Sequence, residues 1–171
     1  MMVDLQPGAG PALVVGGGQV AARKVKALAE AEFVVTVIAP VVRESIRLAP
    51  HTTVHEREFD PADLDAGWGY ALVFACTDQR AVNKEIGRLA RLANIPVVVA
   101  DAQGESTFFT PAVLRDGDLA VAVSTGGASP AAARMIREKI LAAIGPGWQA
   151  ILSAARRERE ERLAKKRGGD A

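Results

Sequence analysis

The first hundred residues alternate apolar runs with segments of helical periodicity. Five segments have the composition of strands: Ala12–Val15, Phe33–Ile38, the more polar Thr53–Glu58, Tyr70–Cys76 and Pro96–Ala100. Three segments between them have the spacing of helices: Val20–Ala31, Val41–Leu48 and Gln79–Ala93. Continuous apolar strands separated by helices are typical of a parallel sheet with helices on both faces, so the pattern predicts the α/β class.

The pattern changes after residue 101. Two further strands are predicted over Phe108–Leu114 and Leu119–Ser124, joined by the turn Arg115–Asp118 as a hairpin. Ser129 is predicted to cap a helix over Ala131–Ile144, with Pro130 at its first position. A second helix is predicted over Trp148–Lys166. These changes divide the chain into parts 1–107, 108–144 and 145–171.

The loop after the first strand reads Gly16-x-Gly18-x-x-Ala21 and opens a helix. In a dinucleotide-binding loop, Gly16 allows the tight turn, Gly18 leaves room for the pyrophosphate, and Ala21 lets helix and strand pack closely. The helix N-terminus then presents free N–H groups to the phosphates. We therefore predict a nicotinamide cofactor site here. The alternative is a tight strand–helix turn that needs glycine for steric reasons only.

The end of the second strand lacks the acid that binds the adenosine ribose in many dinucleotide folds. Residues 36–40 read Thr-Val-Ile-Ala-Pro, and Arg43 follows. An arginine at this point raises the possibility of NADP. The alternative interpretation of Arg43, beside Glu44, is the solvated start of a helix.

Composition and charge narrow the classes of protein. Cys76 is the single cysteine, so no internal disulfide can form, and we expect a reducing compartment, the cytoplasm. No apolar run reaches the roughly 20 residues that cross a bilayer, and we expect no membrane span. Residues 131–171 carry a net charge of +5, but the arginine–glutamate run after residue 155 is typical of a solvated helix face, and we expect no nucleic-acid partner. His51 and His55 lack partners at metal-ligand spacing, so no metal site is predicted.

A linked set of motifs between about residues 12 and 140 resembles the precorrin-2 dehydrogenase and sirohydrochlorin ferrochelatase family, the N-terminal part of siroheme synthases. The motifs that carry the resemblance are GGGQVAARK at 16–24, VTVIAP at 35–40, ACTD at 75–78, Val82-Asn83, Asp101, Phe108-x-x-Pro111-Ala112, VAVSTGGASP at 121–130, Ala133-Arg134 and Ile136-Arg137-Glu138.

The resemblance implies a Rossmann-like NAD domain, a small α+β dimerisation domain and a short helical C-terminal part. It implies NAD-dependent oxidation of precorrin-2 to sirohydrochlorin, on the way to siroheme or cobalamin, by a homodimer. The family's cofactor contacts fall on Gln19, Val20, Pro40 and Val41, and its catalytic aspartate falls on Asp101. The missing acid is normal for the family, which favours NAD despite Arg43. Gln103 stands where a proline is common in the family.

Further site residues are predicted around these. Thr77, after the strand 70–76, joins the candidate cofactor residues. The segment Ser124-Thr125-Gly126 opens a helix and is a candidate to bind substrate carboxylates through backbone N–H groups, or to be a capping turn alone. Because the macrocycle carries eight carboxylic acid arms, three arginines are candidates to pair with them: Arg115, Arg134 and Arg137.

Asp101 follows the strand 96–100, at the edge where ligands of parallel sheets bind. A carboxylate there suits a base that accepts a proton, or a holder of pyrrole N–H groups, and the alternative is a turn residue. Two other functions stay open at this point. One is a bifunctional enzyme that also inserts Fe²⁺ into sirohydrochlorin, and the other is a non-catalytic module that senses NAD(H).

Overall fold

A computed structural model describes residues 2–65, 67, 69–116, 119–144 and 147–168. Its contacts divide the chain into two compact units, Met1–Phe108 and Phe109–Ala171. Whether residues 108–144 and 145–171 act as separate parts, as the sequence suggests, stays a prediction.

The first unit contains a five-stranded parallel sheet. Its strands are β1 (Ala12–Val15), β2 (Val35–Ile38), β3 (Thr52–His55), β4 (Leu72–Ala75) and β5 (Val97–Val99). They are ordered β3-β2-β1-β4-β5, and every neighbouring pair is parallel. All four residues of β1 are buried, as expected for a central strand covered on both faces.

Helices cover both faces of this sheet. On one face α1 (Gln19–Glu30) and α2 (Glu44–Arg47) bury Val25, Leu28 and Ile46 against the side chains of Val35 and Val37. On the other face α3 (Arg80–Leu92) buries Ile86 and Ala90 against Leu13, Val73 and Val97. The predicted Rossmann-like α/β fold is therefore confirmed. The helix predicted over Val41–Leu48 is one turn only, because its first three residues form the wall of a cavity described below.

The second unit pairs β6 (Ala112–Asp116) with β7 (Leu119–Val123) in an antiparallel sheet, followed by α4 (Pro130–Ile144) and α5 (Trp148–Gly168). Ser129 caps α4 as predicted, since its hydroxyl accepts a hydrogen bond from the Ala132 N–H at 3.1 Å. The predicted turn was too long at its start: Arg115 and Asp116 belong to β6. The remaining turn residues, Gly117 and Asp118, lie outside the described residues.

The first arm of the hairpin begins later than predicted. In the loop before it, residues 106 and 107 bond to the outer edge of β5, where the Thr107 N–H donates to the Val97 carbonyl at 2.8 Å. The Phe108 ring packs edge-on against Phe74 of β4, with centroids 5.7 Å apart. Pro111 has no N–H to donate to a strand ladder, so the pairing starts at Ala112.

Candidate active site

A cavity of about 830 Å³ opens at the carboxyl edge of the parallel sheet. The segments that follow β1, β2 and β4 form its walls, and these three strands are adjacent. The chain adds β2 and β3 on one side of β1, then returns to add β4 and β5 on the other. Ligands of open α/β sheets bind at such a reversal of strand order. The cavity therefore lies where a dinucleotide is expected.

Two glycines let the first loop pass close to its neighbours. Gly16 has φ +123°, and a Cβ there would lie closer than 3.0 Å to the carbonyl of Cys76. A Cβ on Gly17 would likewise meet the carbonyl of Val41 closer than 3.0 Å. The Arg43 N–H also donates to the Gly17 carbonyl at 3.1 Å. The three wall segments are thus joined through backbone contacts that a side chain would prevent.

Gly18 serves a different purpose. It is the N-cap of α1, has an ordinary φ of −81°, and a Cβ there would meet nothing within 4 Å. The space beside it is open because it belongs to the cavity. Without a side chain, Gly18 cannot cap the first N–H groups of α1, which remain available to an anion. This geometry fits a pyrophosphate lying against the helix N-terminus.

The predicted cofactor residues come together around this cavity, with one exception. Those that line it are Gly16, Gly18, Gln19, Val20, Pro40, Val41 and Thr77. Ala21 is fully buried against the core, where its small side chain lets α1 pack closely on the sheet. Gly17 also lines the cavity but was absent from the predicted set, because the sequence does not show that its neighbour is the Val41 carbonyl.

Thr77 is held in place by Asn83, a residue that the sequence interpretation did not select as functional. The Oδ1 atom of Asn83 accepts from the Thr77 N–H at 3.0 Å and from its hydroxyl at 2.7 Å, while its Nδ2 donates to the Thr77 carbonyl at 3.0 Å. Asn83 is fully buried. The available signal was its place on the apolar stripe of α3, three residues before Ile86, because a polar residue there needs buried partners.

Asp101 follows β5 at the same edge of the sheet, and its side chain is 36% exposed. One of its oxygens, Oδ1, lies 3.6 Å from the Arg80 guanidinium at the start of α3. The same guanidinium forms a closer ion pair with Glu105, in the turn that follows Asp101. Arg80 therefore connects the start of α3 to both ends of this turn, and it was another residue missed from the sequence.

The thiol of Cys76, which also lines the cavity, is within electrostatic reach of Asp101. Burial raises the pKa of Cys76 to about 11, the positive charges of Lys24 and Arg23 oppose this, and the charge of Asp101 adds to it. Lys24 extends from α1 with its Nζ 5.5 Å from the centroid of the Phe74 ring. Its partial burial lowers the pKa of Lys24. The charges of the aspartate and the lysine thus act in opposite directions on the thiol that follows β4.

The predicted substrate residues all lie in the second unit. Thr125 closes a turn by accepting from the Ser129 N–H at 3.1 Å, and the Ser124 hydroxyl accepts from the Gly126 N–H at 3.2 Å. Arg115 of β6 and Arg134 of α4 are exposed. Arg137 instead lies half-buried and donates to the Val113 carbonyl at 3.4 Å, so it also tethers α4 to β6.

Within the described part of the chain, no group of three or more His, Cys, Asp and Glu side chains is arranged to hold a metal ion. None of the described helices combines the length and apolar character needed to cross a membrane.

Comparison with known proteins agrees with this geometry. A family model described as "Putative NAD(P)-binding" matches residues 3–112, which include the whole parallel sheet and its cavity. The chain belongs to this family. A second model, described as sirohaem biosynthesis protein central, matches residues 116–143, in the second unit.

One relative is a siroheme synthase of Methylobacillus flagellatus, which is 44% identical to this chain over 133 residues. The matched region is 76% of this chain and 28% of that protein. A siroheme synthase of Methylococcus capsulatus is 42% identical over 154 residues, which are 87% of this chain and 32% of the relative. The chain thus spans about a third of the length of these relatives.

A solved structure described as "SirC, precorrin-2 dehydrogenase" superposes with a TM-score of 0.64 at 28% identity, covering 82% of this chain and 69% of that one. Together with the siroheme synthases, this match confirms the resemblance that the motifs between residues 12 and 140 predicted.

Proposed function

We propose that this chain is an NAD-dependent precorrin-2 dehydrogenase that oxidises precorrin-2 to sirohydrochlorin. The observation that carries the proposal is the pairing of an open dinucleotide cavity with the Asp101 carboxylate at one edge of a single sheet. The likeness to a structure described as a precorrin-2 dehydrogenase, over most of both chains, supports the choice of substrate.

The residues around the cavity fit NAD. The free N–H groups after Gly18 would bind the pyrophosphate, while Gln19 and Val20 would line its path. Pro40 and Val41 would contact the adenosine half, and Thr77, fixed by Asn83, would border the far end. NAD⁺, when bound, supplies the acceptor for a hydride.

Oxidation of the macrocycle also releases a proton, which a nearby base must accept. Asp101 is our candidate, because it follows β5 at the edge of the sheet where the cavity opens, and its Oδ1 atom lies 3.6 Å from the Arg80 guanidinium. The ion pair of Arg80 with Glu105 fixes the guanidinium from its other side, and so limits the positions that Asp101 can take. Asp101 would then hold a pyrrole N–H or take its proton in the reaction.

The acidic arms of the substrate require positive partners. We propose the exposed Arg115 and Arg134, and with them Arg137 and the Ser124–Gly126 turn, as the groups that bind these carboxylates. We further propose that the chain acts as a homodimer and works in the cytoplasm, where its one buried thiol would stay reduced.

One assay tests the reaction. Purified chain is given precorrin-2 and NAD⁺, with and without Fe²⁺, and absorbance follows NADH, sirohydrochlorin and siroheme. We expect NADH and sirohydrochlorin to form together. Siroheme in the Fe²⁺ sample, above an enzyme-free control, would show the bifunctional enzyme. Binding of NAD⁺ without any turnover would contradict the proposal and favour the NAD(H)-sensing module.

Replacing the proposed base separates its role from cofactor binding. Asp101→Asn keeps the size of the side chain but cannot accept a proton, so we expect kcat to fall by at least about 100-fold. The Kd of NAD⁺ should change by less than about twofold, since Asp101 is not part of the cavity wall. Glu105→Gln is the matched control, because it also removes a carboxylate partner of Arg80. An equal loss of activity in both variants would show that Asp101 acts only by holding the turn.

A further inference from the structure

A second concavity, of about 500 Å³, lies between α1 and α2. Gln19 and Arg43 line both this groove and the first cavity, so the two concavities share a wall at these residues, beyond the end of β2. The adenosine ribose of a dinucleotide is recognised at the end of the second strand. A substituent on that ribose would therefore point toward the shared wall.

Positive charge dominates the groove. Arg23 and Lys26 of α1 line it together with Arg43. Lys26 is 3.7 Å from Glu30, the one acid in the groove wall, in an exposed pair that holds it weakly. Among the described residues, the Arg23 and Arg43 side chains form no ion pair. Two arginines without an ion-pair partner among the described residues thus line one concave surface.

The position of Arg43 is fixed by its backbone. Its N–H donates to the Gly17 carbonyl at 3.1 Å, which ties the start of α2 to the glycine loop. Ser45, two residues further along the chain, lines the same groove. This combination of guanidinium and hydroxyl groups is typical of sites that bind phosphate.

Apart from Glu30, which is paired with Lys26, the carboxylates of this region do not line the groove. Residues 36–43, from β2 to the start of α2, include no acid. Glu58 lines the first cavity but not the groove, and Glu44 lines neither. An acidic side chain at the end of β2 would repel a 2′-phosphate, and this chain has none there.

We propose that the groove between α1 and α2 binds the 2′-phosphate of NADP(H), so that the chain accepts NADP⁺ as well as NAD⁺. Arg43 and Arg23 pair with the phosphate, and Ser45 and Lys26 complete its surroundings. The inference rests on the proposed function, because it concerns the adenosine end of the same cofactor.

Calorimetric titration of the full chain with NAD⁺, NADP⁺, AMP and adenosine 2′,5′-bisphosphate tests this. We expect NADP⁺ to bind within about tenfold of NAD⁺, and the bisphosphate to bind more tightly than AMP. Arg23→Gln, which lines the groove but not the first cavity, should weaken NADP⁺ binding by about tenfold while changing the Kd of NAD⁺ by less than about twofold. Arg43→Gln, which borders both cavities, should weaken NADP⁺ binding more than NAD⁺ binding. The control Lys84→Gln removes an exposed charge on α3, away from both cavities, and should change neither.

The outcomes separate the inference from the proposed function. Binding of NAD⁺ with NADP⁺ more than about tenfold weaker would overturn the groove as a phosphate site and leave the dehydrogenase proposal intact. The same holds if the arginine variants weaken NAD⁺ and NADP⁺ equally, or if Lys84→Gln has their effect. Failure of both dinucleotides to bind the folded chain would overturn the proposed function, and the groove's role with it.

Discussion

At the residue scale, the thiol of Cys76 in the cavity wall has a pKa that is raised by its burial. It is only 7% exposed, and burial is the main reason that its pKa rises from 9.0 to about 11. In the unfolded chain the thiol ionises near its ordinary value. Between these two values the folded protein holds a proton that the unfolded chain has lost.

This difference predicts a pH dependence of stability. Because the folded state binds more protons, the free energy of unfolding falls as the pH rises through the window from about 9 to 11. The expected loss from this thiol is about 1 kcal/mol between pH 8 and pH 10. Urea unfolding of the wild type and of Cys76→Ala gives the free energy of unfolding of each chain at pH 8 and pH 10. The difference between the two chains should change by this amount between the two pH values.

The variant comparison is needed because Lys24 acts in the opposite direction. Its pKa is lowered in the folded state, so its ionisation makes the free energy of unfolding rise with pH in the alkaline range. Lys24 is present in both chains, and the part of its contribution that comes from burial, the main cause of its lowered pKa, is common to both. A difference between wild type and Cys76→Ala that stays constant from pH 8 to pH 10 would contradict the raised thiol pKa.

Single residues were predictable from the sequence where a local rule governs them. Ser129 at a cap and Gly16 at a tight turn follow from backbone chemistry within a few positions. Asn83 and Arg80 depend on partners that only folding brings near: Asn83 on Thr77 across the α3 terminus, and Arg80 on Glu105, 25 positions away. The sequence alone does not show that these side chains are in contact.

At the scale of elements, two neighbouring glycines in the loop between β1 and α1 are needed for different reasons. We expect Gly17 to be required by the fold, and Gly18 to be required by cofactor binding. Gly17→Ala would place a methyl group closer than 3.0 Å to the Val41 carbonyl, so the backbone must move. We expect a loss of about 2 kcal/mol or more in the free energy of unfolding. Gly18→Ala meets no atom within 4 Å and should cost less than about 1 kcal/mol.

Although Gly18→Ala should leave the fold stable, we expect it to weaken NAD⁺ binding. Its methyl group would occupy the space where the pyrophosphate approaches α1, so we expect the Kd of NAD⁺ to rise at least about tenfold. Urea unfolding and calorimetric titration of both variants measure the two effects. Unchanged NAD⁺ binding in Gly18→Ala would indicate a turn that needs glycine for steric reasons alone.

The bounds of elements were predictable where burial and periodicity agree. Ala12–Val15 was predicted residue for residue, because an apolar run of four ends at glycines. The strand predicted over Phe33–Ile38 starts at Val35, since Phe33 closes the end of α1 by donating its N–H to the Leu28 carbonyl. Apolar character predicts burial there correctly but does not fix where the ladder begins.

At the scale of the whole molecule, the second unit presents apolar surface that its own fold leaves exposed. Its two-stranded sheet packs against α4, and Ala133 is the helix residue that is buried. Four larger apolar side chains of α4 remain exposed: Met135, Ile136, Leu141 and Ile144. A two-stranded sheet is marginally stable alone, and each strand keeps an open edge. This surface is what the homodimer proposal predicts.

The dimer prediction is tested by mass in solution. We expect light scattering at micromolar concentration to give about twice the 18.0 kDa of one chain. Ile136→Asp should shift the mass toward one chain, because burying an unpaired carboxylate in an apolar interface is costly. Leu48→Asp is the matched control, since Leu48 is also an exposed apolar residue but belongs to the first unit. A monomeric wild type would contradict the prediction. If Leu48→Asp dissociated the dimer as much as Ile136→Asp, the exposed face of α4 would not be the specific interface.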